Sequence, residues 1–146
     1  MTDIASIALW HRRARPQPDH KGLNVQVGCH LEEFVEMLDT LEAEDAETRN
    51  TMAVARMYLN NMATKLKKGK GSVYIKDRPG FADAAADQIV TAVGILHCAQ
   101  MDPERVVDEV NASNWSKTVD GEFVFDNNGK IAKPLTYKEP DLSWVK

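Results

Sequence analysis

Two groups of carboxylates stand out by type and spacing. Glu32, Glu33 and Glu36 lie in the run His30-Leu31-Glu32-Glu33-Phe34-Val35-Glu36, and Asp83 and Asp87 lie in Phe81-Ala82-Asp83-Ala84-Ala85-Ala86-Asp87-Gln88. On a helix, Glu33 and Glu36 are i, i+3 neighbours and Asp83 and Asp87 are i, i+4 neighbours, so each pair can converge on one ion. Only oxygen ligands are on offer. Hard oxygen ligands select Mg²⁺, or Mn²⁺, over zinc. Magnesium held by few protein carboxylates usually also binds substrate phosphates, so phosphoryl or diphosphate transfer or hydrolysis is the chemistry such a set would serve. The aspartate pair carries more weight, because its segment is otherwise nearly uncharged. A carboxylate buried on an apolar helix needs a partner or a metal.

Plainer readings exist for each group. Acids opposite an apolar stripe are commonly a solvated face, which suits Glu32, Glu33 and Glu36. Asp83 suits a helix cap or first-turn acid. Asp87 lies a full turn further in, where pairing with a lysine or arginine of another helix is the ordinary alternative.

These residues need helices to position them. Met1 to about Arg13 reads as a short helix, and Arg15 to Gly22 as a turn-rich connector. A helix runs from Leu23, or at the latest His30, to about Glu44, with Leu31, Phe34, Val35, Leu38 and Leu41 as its apolar stripe. A second spans about Asp45 to Lys67, capped by Asp45 and closed by cationic residues and glycines. Ser72 to Gly80 is a loop or short extended segment. A third helix covers about Phe81 to Gln100. With Asp83 as origin at about 100° per residue, Asp87, Thr91, Gly94 and Cys98 share one stripe, and Ile89, Val93 and Leu96 another. Low charge all round predicts a central place in a bundle, with Gly94 admitting a close neighbour. Asp102-Pro103 opens a fourth helix to about Ser113. Glu122 to Ala132 reads as a hairpin turning at Asn128-Gly129, and Lys133 to Lys146 as irregular. The expected fold is all-α: a single domain over 1–146, with a four-helix-bundle core at about 23–116 and a mostly extended tail at about 117–146.

Composition narrows the function. The chain has 146 residues, enough for one domain with a core, and its 27% charged and 43% apolar residues are ordinary for a soluble protein. A net charge of −4 argues against a nucleic-acid polymer as partner. The uncharged stretch from Gln88 to Met101 is too short to span a bilayer, and the N-terminus lacks the basic start of a signal peptide. Cys29 and Cys98 have no CxxC spacing and read as reduced core thiols of a cytoplasmic protein. His11, His20, His30 and His97 show no metal spacing. Trp10 and Trp115 are placed to stack a base or, more ordinarily, to pack. Lys65, Lys67, Lys68 and Lys70 read first as a solvated helix end and second as a loop closing over phosphates.

The acidic motifs, taken in order, resemble the all-α nucleoside triphosphate pyrophosphohydrolases, in particular the MazG-like, phosphoribosyl-ATP-pyrophosphohydrolase-like branch. Glu32-Glu33-Phe34-Val35-Glu36 is similar to that superfamily's EExxE. Asp87-Gln88-Ile89-Val90 falls at its second motif, ExxD followed by an apolar run. Asp108-Glu109-Val110-Asn111-Ala112-Ser113-Asn114-Trp115-Ser116-Lys117 resembles the substrate-side motif of the branch. Gly129-Lys130-Ile131-Ala132-Lys133-Pro134 and Tyr137-Lys138-Glu139-Pro140-Asp141-Leu142 resemble its tail. The likeness covers about Leu23 to Leu142. It departs at Ala84, where ExxD has glutamate. Asp83 lies one residue earlier, on the same face as Asp87.

The resemblance implies cleavage of a nucleoside triphosphate between the α- and β-phosphates, giving a monophosphate and pyrophosphate. It implies Mg²⁺ on Glu33, Glu36 and Asp87, with Asp83 as a further ligand, and Mn²⁺ as a substitute. Glu32 would orient or deprotonate the attacking water, or join a multi-metal site, so Glu32 and Glu33 form the catalytic pair. Lys117 would meet phosphate, Asn114 and Asn111 would hydrogen-bond phosphate or sugar, and Lys133 or Lys130 would add a phosphate contact. The implied assembly is a homodimer or homotetramer and the implied role is nucleotide-pool house-cleaning, with dUTP among the candidate substrates. Two other readings are a catalytically weak nucleotide-binding or regulatory helical protein, which Ala84 favours, and a purely structural helical module.

Overall fold

The fold is a computed structural model in which residues 3–146 are described; Met1 and Thr2, where the first expected helix begins, lie outside them. The chain is predominantly helical. In order it forms α1 (Ile4–Ala14), α2 (His20–Asp39), α3 (Ala46–Lys67), α4 (Arg78–Cys98), α5 (Pro103–Trp115), β1 (Thr118–Val119) and β2 (Glu122–Phe123).

One device starts all five helices. Asp3, Asp19, Asp45, Asp77 and Asp102 sit in extended backbone. Each side chain accepts the backbone N–H three residues on, at Ser6, Gly22, Thr48, Gly80 and Arg105. Such a cap satisfies one of the orphan donors of a helix start and stabilises it by about 1 kcal/mol. Asp19 therefore begins α2 at His20, inside the segment expected to be a connector. Asp77, followed by Pro79 in the first turn, begins α4 at Arg78 rather than Phe81.

The chain divides into two compact units. One comprises Met1–Pro16, Ile75–Val124 and Ile131–Lys146; the other comprises Gln17–Tyr74 and Phe125–Lys130.

In the second unit α2 and α3 form an antiparallel hairpin, with Glu32 opposite Lys67 and Asp39 opposite Arg56. Gly28 makes the close crossing. A Cβ there would lie 2.9 Å from the Ala63 carbonyl oxygen and 2.8 Å from Lys67 Cγ. The buried face of α2 is Gly22, Asn24, Val25 and Gly28, matched by Ala63 and Leu66 of α3. The expected stripe lies further along, and there Phe34 and Leu41 are exposed. Asn24 is buried and fully used: its amide donates to the His20 and Val73 carbonyls and its oxygen accepts from Val73 N–H at 2.7 Å. One side chain thus pins the segment after the glycine-rich loop onto α2.

In the first unit Trp10 is buried. Its indole N–H donates to the Asn114 carbonyl at 2.9 Å, and its ring meets Phe123 edge-on. Trp115 takes the Arg13 guanidinium over its ring. Both tryptophans pack. The paired strands are β1 and β2, joined at Asp120-Gly121, where both residues have positive φ as a tight hairpin turn requires. In the second unit the Asn128-Gly129 turn also forms, organised by Asp126, whose side chain accepts from Asn128 and Lys130 N–H.

Helix α4 differs from its expectation. No side chain on it is buried; Ile89 and Val90 are 51% and 67% exposed, and a Cβ at Gly94 would meet nothing within 4 Å. Among the described residues α4 meets only α5 appreciably, and over a small area. It is not central within its own chain, so Asp83 and Asp87 are surface carboxylates here. No helix is long and apolar enough to cross a membrane among the described residues.

Candidate functional site

Glu32, Glu33 and Glu36 all belong to α2, in the second unit. Glu32 is half-buried and doubly held. Lys67 Nζ of α3 donates to Oε1, and Lys130 Nζ, 98 residues along the chain, donates to Oε2 at 2.7 Å. Burial by itself would raise the Glu32 carboxyl. The hydrogen bonds and charges of Lys130 and Lys67 outweigh it and hold the carboxyl below its ordinary value. Burial lowers Lys130, but the Glu32 carboxylate more than offsets it and the ammonium is held above its usual value. A carboxylate stabilised in this way is a weaker base, and it is well suited to holding two ammonium groups in place.

Glu36 faces an open cleft of about 450 Å³ with Glu32, Asp39 and Asn60. Asp39 is committed to Arg56. Glu33 is exposed on the neighbouring face. Cys29, one turn before, is a free thiol raised mainly by burial, with Lys130 opposing.

Asp83 and Asp87 lie in the first unit on unbroken α4, exposed and one turn apart. Among the described residues neither has an ion-pair partner, so the ordinary pairing offered for Asp87 is not what is seen. Each pair offers oxygen ligands one turn apart, a donor set that fits a hard divalent cation. Among the described residues no group of three or more His, Cys, Asp or Glu is gathered in metal-ligand geometry.

The substrate-side motif is drawn together at the end of α5. Lys117 Nζ donates to Asn114 Oδ1 at 2.7 Å. Lys117 and Lys133 both approach the Tyr137 ring, at 5.7 and 4.7 Å from its centroid. Two sequence-expected residues, Lys117 and Lys133, thus share one aromatic platform, and a third, Asn114, holds Lys117. The tail is held there by serines. Buried Ser113 donates to the Lys138 carbonyl at 2.7 Å and contacts the Tyr137 hydroxyl, while Ser116 Oγ accepts from Lys138 N–H. Asn111 is set apart: it is buried, and its amide donates to Ser6 Oγ of α1 at 3.1 Å.

Sequence reasoning missed Tyr137, Ser113 and Ser116 as organisers, although all three stand inside the quoted motifs. It also left Lys67 as a helix-end charge, since its partnership with Glu32 depends on how α2 and α3 cross. No protein-family model, no curated protein and no solved structure matches this chain.

Proposed function

We propose that this protein is a Mg²⁺-dependent nucleoside triphosphate pyrophosphohydrolase, releasing a monophosphate and pyrophosphate. The observation that carries the reading is the convergence of Lys117, held by Asn114, and of Lys133 on the Tyr137 ring. Two ammonium groups on one ring, one of them held by an amide, suit a phosphate, and their residues come from the segments that resemble the family's substrate-side motif and its tail.

The carboxylates that would hold Mg²⁺, with Mn²⁺ as a substitute, are Glu33 with Glu36 in the second unit and Asp87 with Asp83 in the first. The metal, when bound, supplies charge neutralisation and an acidified water. Lys117 and Lys133 bind phosphate as point charges, and Asn114 fixes Lys117. Glu32, kept ionised by its two lysines, orients or deprotonates the attacking water or joins a multi-metal site. Asp83, at i, i+4 from Asp87, takes up the part that Ala84 does not supply.

The proposal includes a homodimer or homotetramer in which a second copy completes a four-helix core. Support comes from apolar surface without a partner. In the first unit it lies on α4; in the second, Met57 and Tyr58 of α3 are 58% and 66% exposed. Pool house-cleaning in the cytoplasm, with dUTP among the substrates, is the matching role. The test is pyrophosphate release with Mg²⁺ across standard and modified nucleoside triphosphates. Turnover of at least one of them, abolished by chelation, supports the enzyme. Nucleotide binding without turnover would replace it with a regulatory binding protein, the reading that Ala84 favours.

A further inference from the structure

The second unit contains a cleft that the enzyme reading does not use. Its volume is about 420 Å³, within the range of small-molecule sites. The first turn of α2 forms one wall, the end of α3 with its glycine-rich loop another, and the tip of the 127–128 turn the third. Lys21, Lys67, Lys68 and His20 line it, and no aspartate or glutamate does among the described residues.

The carboxylates adjacent in sequence to these walls are engaged elsewhere. Asp19 caps α2, Asp126 accepts two backbone N–H groups of its own turn, and Glu32 holds Lys67 and Lys130. Lys21 and Lys68 are exposed and have no ion-pair partner among the described residues. The positive end of α2 adds to the same field. Neutral donors complete the lining: the Asn127 and Asn128 amides, and Ser72, whose hydroxyl lies 3.0 Å from His20 Nε2. Buried Asn24 ties His20 and Val73 together, so the walls bearing His20 and Ser72 are fixed before any ligand arrives. Gly69, at φ +65° and with open space at its Cβ position, keeps the rim clear.

We infer that this cleft binds a phosphate-bearing anion of about the size of pyrophosphate, with Lys21 and Lys68 as its charge contacts. Two lysine ammonium groups beside neutral donors suit a compact multivalent oxyanion better than a single carboxylate. Every residue of the cleft belongs to the second unit, and none is among Asn114, Lys117 and Lys133, so the site stands whether or not the chain hydrolyses nucleotides.

The test is an amide NMR titration of the whole chain with inorganic pyrophosphate, with acetate at matched ionic strength as control. The wild type and a Lys117→Ala/Lys133→Ala variant should both show saturable shifts at the amides of Gly69, Gly71, Asn127 and Asn128. Lys21→Glu with Lys68→Glu should raise the midpoint at least about tenfold, and the milder Lys21→Ala with Lys68→Ala about threefold, since charge opposite charge sets the affinity. The alanine pair decides the matter where the glutamate pair fails to fold. Absence of shifts in the wild type, an unchanged midpoint in the lysine variants, or equal shifts with acetate would overturn the site.

Discussion

Replacing Glu32 by glutamine tests the least expected feature of the α2–α3 hairpin. The substitution keeps the shape of the side chain and removes its charge, leaving Lys67 and Lys130 facing a neutral amide. The Glu32, Lys67 and Lys130 side chains are 25%, 18% and 43% exposed, so neither pair is a fully solvated surface bridge or a buried one. An exposed pair is worth at most about 1 kcal/mol and a hydrogen bond to a charged group about 1.5–3 kcal/mol. Discounting for the exposure of Lys130, and for the one bond that glutamine can still accept, the cost should be about 1–2 kcal/mol, or about 3–6 °C in Tm. Because the folded carboxyl lies below its ordinary value of 4.5, its contribution is present above that value and is lost as pH falls through the folded one. Urea melts of wild type and Glu32→Gln should therefore differ at pH 7 and converge toward pH 3. A difference that persists undiminished at pH 3, or equal stability at pH 7, would refute the double clamp. Lys130 behaves in the opposite sense: its folded value is raised, so the clamp also weakens when pH climbs past 10.5.

Other outcomes follow from single contacts. Gly28→Ala should destabilise by about 1–3 kcal/mol in chemical denaturation, because the new methyl meets the Ala63 carbonyl as well as the movable Lys67 stem. Asn24→Leu should cost about 2–4 kcal/mol by leaving the Val73 N–H and nearby carbonyls without a partner; hydrogen exchange at Val73 would then speed up more than at Leu66. Under the proposed function, Asp87→Asn should abolish Mg²⁺-dependent pyrophosphate release while moving stability by less than about 0.5 kcal/mol, as the carboxylate is exposed and has no ion-pair partner among the described residues. For the proposed oligomer, Val90→Asp, on the open face of α4, should lower the mass measured by light scattering from a multiple of the chain to that of a single chain; a wild type of single-chain mass, or an unchanged multiple, would overturn α4 as a subunit contact.

Much of the local structure is written in short-range chemistry. An aspartate cap bonds to a backbone N–H three residues on, so Asp45 and Asp102 announce their helices without reference to the rest of the chain. Asp3, Asp19 and Asp77 carry the same signal and could have been taken at face value. So could Asp120-Gly121, the turn that joins the two strands. The placement of Glu33 with Glu36, and of Asp83 with Asp87, on single faces also follows from helical spacing alone.

What tertiary structure decided are the meetings of residues far apart in the chain. Glu32 looks like one more solvated acid until Lys67 and Lys130 arrive on it, the latter from 98 positions away. Lys133 is one tail lysine among several until Ser113 and Ser116 hold the tail and bring the Tyr137 ring within reach of both Lys133 and Lys117. Burial is decided in the same way. The sparse charge of α4 predicts a core helix, yet its own chain leaves it uncovered, because hydrophobicity states that a surface seeks cover and not which surface supplies it. Caps and helical faces are contacts between neighbours in sequence; clamps, platforms and cores depend on where the chain returns.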